Sequence, residues 1–173
     1  SMHTTHPRFF NQNFAGPEPI AVVGDWLAAA LNTTNATFEV APVFTMMERS
    51  VINKMAGLAG YPVDPAPGAL PPGILCPGGS SATLHALQLA RHRACPDILQ
   101  TGATGERLVV FVSQAAHYAT LKSAAIMGLG LQSVIEVDTD ATGAMIPAGL
   151  AKAVDDARAD GARPFAVVAT AGT

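Results

Sequence analysis

The sequence predicts an α/β fold with a mainly parallel sheet and flanking helices, and two observations carry that prediction. From Ile74 onward, short apolar runs alternate with segments of helical period, the pattern of strand–helix–strand units. Two of the runs, Leu108-Val109-Val110-Phe111-Val112 and Phe165-Ala166-Val167-Val168-Ala169, are apolar at every position, as expected of strands buried on both faces. Before Ile74 the chain is helical and proline-containing instead. The organisation expected is therefore an N-terminal helical segment with a proline-rich loop, residues 1–73, and an α/β part, residues 74–173.

Residues 3–17 are polar, aromatic and proline-containing, with no helical or strand period. Their amides, Asn11 and Gln12 among them, are expected to bond mainly to backbone. Glu18 to Leu31 reads as a helix, because Ile20, Val23, Leu27 and Leu31 share one face at spacings of three and four. Asn32-Thr33-Thr34-Asn35 stops it. A second helix starts at Pro42, a favoured first-turn residue. Phe44, Met47, Val51, Met55 and Leu58 form its apolar stripe, which is expected to pack in a core, and Gly60 ends it. Tyr61 to Gly73 holds five prolines and reads as an exposed, partly extended loop. It is not expected to be a domain linker, since the segment before it is too small to hold a core alone. Then follow a strand over Ile74–Cys76, a helix over Ser81–Ala94 and a strand over Leu108–Val112. A helix over Ala116–Met127, a strand over Ser133–Val137 and a helix over Pro147–Ala159 come next. Gly161 closes that last helix, and a strand over Phe165–Ala169 ends the series.

Composition narrows the function. Of 173 residues 49% are hydrophobic and 13% charged, against roughly 25% charged in an average globular chain. So few charges cannot cover an isolated domain of this size, and part of the surface is expected to meet more protein. A net charge of −3 gives no pointer to nucleic acid. No apolar run is long enough to span a membrane, and the start does not read as a signal peptide. Ser1 ahead of Met2 reads as a tag remnant. Cys76 and Cys95 fit a reducing, cytoplasmic compartment. No CxxC or HxxxH spacing suggests a structural metal.

The stretch Cys76-Pro77-Gly78-Gly79-Ser80-Ser81 joins the first expected strand to its helix. Gly78 and Gly79 can adopt positive φ and admit a ligand close to the backbone, and Ser80 or Ser81 is a good N-cap. Unpaired N–H groups of Ser80, Ser81 and Ala82 would form an anion site, for which phosphate is the common occupant. The same residues are also ordinary turn chemistry. In α/β sheets ligands lie beyond the carboxyl ends of strands. The turns to search are thus Pro77–Ser81, Ser113–His117 and Thr170–Thr173.

Five segments in order resemble one family. They are His6-Pro7-Arg8-Phe9-Phe10-Asn11-Gln12, Glu39-Val40-Ala41-Pro42-Val43-Phe44 with Met47-Glu48, Pro77-Gly78-Gly79-Ser80, His117-Tyr118 with Lys122, and Ala169-Thr170-Ala171-Gly172-Thr173. Together they resemble the group II pyridoxal-phosphate-dependent amino-acid decarboxylases of the glutamate and cysteine-sulfinate type. The resemblance implies the large domain of the aspartate-aminotransferase-like fold, pyridoxal 5'-phosphate as cofactor and a homodimer with the site at its interface. It places Gly79 and Ser80 at the cofactor phosphate, His117 as the imidazole stacked on the pyridine ring and Thr170 as a cofactor-contacting threonine. Without it, His117 reads as a capping or satisfied histidine. Asn11 and Gln12 match a segment lining the substrate pocket. Ala36 matches a pocket position reached from the second subunit, where the family often carries an aromatic residue. Thr83 stands where the closest subgroup commonly has asparagine.

The family's cofactor-binding lysine and its ring-nitrogen aspartate belong to motifs further downstream. Lys54, Lys122 and Lys152 lie in neither, and Lys122 reads as a surface lysine. The expectation is that the parent is a carboxy-lyase while these 173 residues alone are inactive. The His-Pro-Arg-Phe-Phe-Asn-Gln segment implies a small acidic substrate: cysteine sulfinate, aspartate or glutamate. An aromatic or other amino-acid decarboxylase, or a catalytically dead binding or assembly module, are the alternatives.

Overall fold

A computed structural model describes residues 3–10, 16–66, 68–102 and 105–170. The chain divides into two compact units, Ser1–Ile74 and Leu75–Thr173.

The first unit holds two helices, α1 (Pro19–Leu31) and α2 (Pro42–Leu58). Each starts on a proline, whose missing N–H costs nothing at a first helical position. Asn32 ends α1 in the left-handed region (φ 43°), with its N–H on the Ala28 carbonyl. At the end of α2, Gly60 donates to Gly57 and Tyr61 to Ala56, a Schellman closure. The stripe on α2 departs from expectation. Phe44 is half-buried, but Met47, Val51 and Met55 are exposed, and Ile52 is the buried residue of the helix. Helix α1 buries none of its residues. Two helices offer too little surface to enclose an apolar interior of their own.

The second unit is a three-stranded parallel sheet of order β2-β1-β3, with β1 Leu108–Ser113, β2 Val134–Val137 and β3 Arg163–Val168. Helices α3 (Gly79–Ala94), α4 (Ile98–Thr101), α5 (Ala119–Ile126) and α6 (Pro147–Ala159) surround it. Side chains alternate across the central strand. Val109 and Phe111 pack with Val137, Ala157, Leu150 and Val154 on the α6 side. Val110 packs with Leu87 of α3 and Met127, just past α5, on the other. All six residues of β1 are buried. The α5 and α6 ends repeat the glycine closure of α2. Gly128 donates to Ala125 and Leu129 to Ala124, while Gly161 donates to Arg158 and Ala162 to Ala157.

Four sequence expectations need correction here. Ile74–Cys76 is not a strand, because no neighbouring strand pairs with it. Helix α3 begins at Gly79 with Gly78 as its cap, so Ser80 lies inside the first turn and neither serine caps it. The helix expected from Ala116 starts at Ala119, after a turn at Ser113–Tyr118. The last strand, expected to be buried on both faces, is an edge strand whose Val167 is exposed. Pro164 has no N–H to give to the ladder, and the β1–β3 register slips there, passing from Val109↔Pro164 to Val110↔Ala166.

At the amino edge of the sheet, Cys95 Sγ donates to Glu106 Oε2 at 3.3 Å, and Arg163 Nη1 donates to the same carboxylate at 2.9 Å. Desolvation by its surroundings pushes the Cys95 thiol up, and the Glu106 hydrogen bond adds to the effect. A raised thiol pKa means less thiolate at a given pH, hence slower alkylation. We expect Glu106→Gln, which removes the charge, to speed iodoacetamide labelling of Cys95 at pH 8 severalfold. Peptide-resolved mass spectrometry reads it, and an unchanged or slower rate would refute the assignment.

Candidate functional site

The carboxyl ends of β1 and β3 and the start of α3 enclose one depression of about 700 Å³. Its wall includes Gly79, Ser80, Thr83, His117, Thr120 and Thr170. Residues nearly a hundred positions apart in sequence are thus brought to one place.

The first wall is the turn into α3. Gly78 sits at φ 88°, ψ 158°, a region essentially confined to glycine. Its N–H bonds back to Cys76 at 2.8 Å, and Ala82 donates to the Gly78 carbonyl at 3.1 Å. The Ala82 N–H, expected to be free, is therefore used. Among the described residues, the N–H groups of Gly79, Ser80 and Ser81 have no protein acceptor, as befits a helix start. A Cβ built on Gly79 meets nothing within 4 Å. The Thr83 hydroxyl turns back to the Gly79 carbonyl at 2.9 Å, leaving it an acceptor toward the depression.

The second wall is the turn after β1. Ser113 is the first polar residue after the apolar run, and its Oγ accepts the Ala115 N–H at 3.1 Å. Ala116 donates to the Ser113 carbonyl at 2.8 Å, and Gln114 donates to the Val137 carbonyl at 3.0 Å. The Gln114 side chain reaches Thr139 Oγ1 at 2.6 Å. This turn delivers His117, whose Nδ1 accepts the Ala119 N–H at 3.1 Å. Its ring lies 4.1 Å from that of Tyr118, tilted by 31°. The same side chain thus accepts a helix-start amide and lines the depression. Thr170, two residues past β3, supplies the third wall and is exposed.

The residues expected at the substrate are Asn11, Gln12 and Ala36. Asn11 and Gln12 lie outside the described residues, as do Ala171, Gly172 and Thr173. Ala36 is exposed on the loop between α1 and α2, in the first unit, with its N–H on Thr34 Oγ1 at 3.3 Å. Tyr118 and Thr120 also line the depression. Tyr118 belongs to the His117-Tyr118 segment of the family resemblance, with no site role expected of it, and Thr120 is a lining residue that the sequence reading does not reach. Lys122 holds its Nζ 4.3 Å from the Tyr118 ring centroid, and Lys152 pairs with Asp156. Among the described residues no group of three His, Cys, Asp or Glu is placed to hold a metal, and no helix is long and apolar enough to cross a membrane.

An unpaired helix start, an open glycine, a serine hydroxyl, an imidazole and a threonine around one depression suit a phosphorylated aromatic group. The family described as the pyridoxal-dependent decarboxylase conserved domain matches residues 1–173, and the chain belongs to that family. It is 42% identical over its whole length to the acidic amino acid decarboxylase of Bos taurus, of which it covers 32%. It is 43% identical to the human cysteine sulfinic acid decarboxylase, of which it covers 34%. The crystal structure of mouse CSAD in apo form superposes with a TM-score of 0.90 at 42% identity, over 98% of this chain and 35% of that one. Oryza sativa TDC with PLP gives 0.76 at 26% identity, over 90% of this chain and 34% of that one. The chain thus spans about a third of the length of the relatives it matches.

Adjacent glycines in this turn have opposite tolerances. Gly78→Ala forces a side chain into a glycine-only conformation, and we expect a loss of about 1–3 kcal/mol. Gly79→Ala keeps helical geometry and leaves stability unchanged or slightly raised. Urea unfolding of the two variants checks this, and equal losses would contradict the described turn.

Proposed function

We propose that this chain is part of a pyridoxal 5'-phosphate-dependent decarboxylase, a carboxy-lyase that removes the α-carboxylate of a small acidic amino acid. The observation that supports it most is the meeting of Gly79, Ser80, His117 and Thr170 at one depression. In this reading the N–H groups of Gly79, Ser80 and Ser81 and the Ser80 hydroxyl hold the cofactor phosphate. His117 stacks on the pyridine ring, holds its plane and offers Nε2–H. Thr170 contacts the cofactor from the end of β3. The bound cofactor supplies an electron sink for the charge left when CO2 departs. Asn11, Gln12 and Ala36 are assigned to the substrate side. Cysteine sulfinate, aspartate and glutamate are the substrates favoured, in line with the names of the relatives at 42–43% identity. We assign the protein to the cytoplasm, in keeping with its two free cysteines.

Phosphate recognition gives a direct test. We expect pyridoxal 5'-phosphate to bind this chain at least tenfold more tightly than pyridoxal, by calorimetry or ring absorbance, with Gly79→Ala and Ser80→Ala each narrowing the gap. Neither lysine near or beyond the site is free to replace a dedicated one, so no borohydride-fixed adduct is expected on Lys122 or Lys152. In a protein of the relatives' length carrying this chain, labelled CO2 should be released from a small acidic amino acid, and His117→Ala should lower turnover far more than stability. Equal affinity for pyridoxal, or release only from aromatic amino acids, would sink the reading.

We also propose self-association as a homodimer. Ile20 and Trp26 on α1 and Val43 and Leu58 on α2 are more than half exposed, more apolar surface than a soluble monomer commonly shows. Sedimentation equilibrium should give a dimer or larger species, and Trp26→Glu should shift it toward monomer. A monomer at high concentration would rule this out.

A further inference from the structure

We propose that Tyr118 and Lys122 are positioning residues for His117. They hold its ring in one plane and, with the Ala119 amide on Nδ1, leave Nε2 as the ring nitrogen that carries N–H. The inference rests on the reading that His117 faces the cofactor ring, and it adds which atom of the imidazole can carry a proton there.

The Ala119 N–H donates to His117 Nδ1 at 3.1 Å. A backbone amide only donates, so Nδ1 keeps its lone pair and the ring proton sits on Nε2. Ala119 is the first residue of α5, and its N–H is one of the donors a helix start leaves without an internal partner. Ala119 is 6% exposed, so water is a poor substitute if that bond is released. The bond forms only when the imidazole plane contains the direction of the amide. The Tyr118 ring lies against the imidazole at 4.1 Å and limits its rotation. Tyr118 is 53% exposed, and one helical turn later the Lys122 ammonium, 4.3 Å from its centroid, holds it in place by a cation–π contact. With Nδ1 committed to the helix start, His117 presents a single Nε2–H to the depression. It can donate a hydrogen bond from Nε2–H, and it cannot accept a proton at Nδ1 without uncovering the first amide of α5.

The test needs no cofactor. Long-range proton–nitrogen spectra of the nitrogen-15-labelled chain at neutral pH distinguish pyridine-like from pyrrole-like ring nitrogens. The chain has five histidines, and His117→Gln identifies the signals of His117. We expect a pyridine-like Nδ1 and a pyrrole-like Nε2, unchanged in Tyr118→Phe, which keeps the ring. Tyr118→Leu should move the tautomer ratio toward Nδ1–H by about fivefold, the factor of one ordinary hydrogen bond. Lys122→Met should move it in the same direction. A pyrrole-like Nδ1 in the unsubstituted chain overturns the proposal. So does an unchanged ratio in Lys122→Met, which carries the test should Tyr118→Leu fail to fold. A fixed Nε2–H tautomer in a chain that does not bind pyridoxal 5'-phosphate would defeat the functional reading and leave this inference standing.

Discussion

The second unit depends on the burial of one strand from both sides. Val109, Val110 and Phe111 are fully enclosed, and burying side chains of this kind contributes about 1.5–3 kcal/mol each. Because consecutive residues point to opposite faces, β1 joins the α6 layer to the α3 and α5 layer. A strand so committed admits a polar group only at its last residue, and chemistry is displaced to where it ends. Ser113 marks that point: the run turns polar, and its hydroxyl is used at once to fold the turn that presents His117.

Much of this was legible in the sequence, and the failures share a physical origin. The helix from Pro147 to Ala159 was read to the residue, because proline at the start and glycine past the end act locally. Ile74–Cys76 was misread because a strand is a property of a pair, and three apolar residues carry no information on whether a neighbour exists. Phe165–Ala169 looked like a central strand by composition and lies at an edge, since apolar content reports the company a strand is able to keep. The start of α3 shifted because Gly78 adopts φ 88° and so takes the cap position from the serines. The turns at Pro77–Ser81, Ser113–His117 and Thr170–Thr173 are legible as loops able to meet a ligand, whereas the roles of Gly79, Ser80, His117 and Thr170 within them come from the family resemblance. Tyr118 stands in the sequence only as a member of the His117-Tyr118 family segment, without a role, because its contacts run to that histidine and to a lysine one turn away, and residue type alone does not reveal such pairs.

The two units use the same composition differently. In Leu75–Thr173 the apolar residues close two clusters around a sheet. In Ser1–Ile74 they stand on two helices, one of which buries nothing. With only 13% charged residues, the chain has little polar surface with which to shield those helices from water. Their apolar faces follow from the size of the unit, since helical periodicity sets where side chains point and does not supply anything to cover them.

The clasp at the amino edge of the sheet gives α3 the mechanics of a lever. Arg163 at the start of β3 donates to the Ala94 carbonyl at the last turn of α3, and Arg91 in the same turn donates to the Met127 carbonyl. The helix is thus pinned at the end opposite its unpaired amides. Its 16 residues make an arm of roughly 24 Å at 1.5 Å per residue. A tilt of one degree at the pinned end moves the Gly79–Ser81 amides by about 0.4 Å, close to the ~0.5 Å within which a binding constellation has to be held. The angular stiffness of the Arg163 and Arg91 anchors, together with the packing of Leu84 and Leu87 midway along the helix, therefore sets the positional tolerance of the amides at its rim.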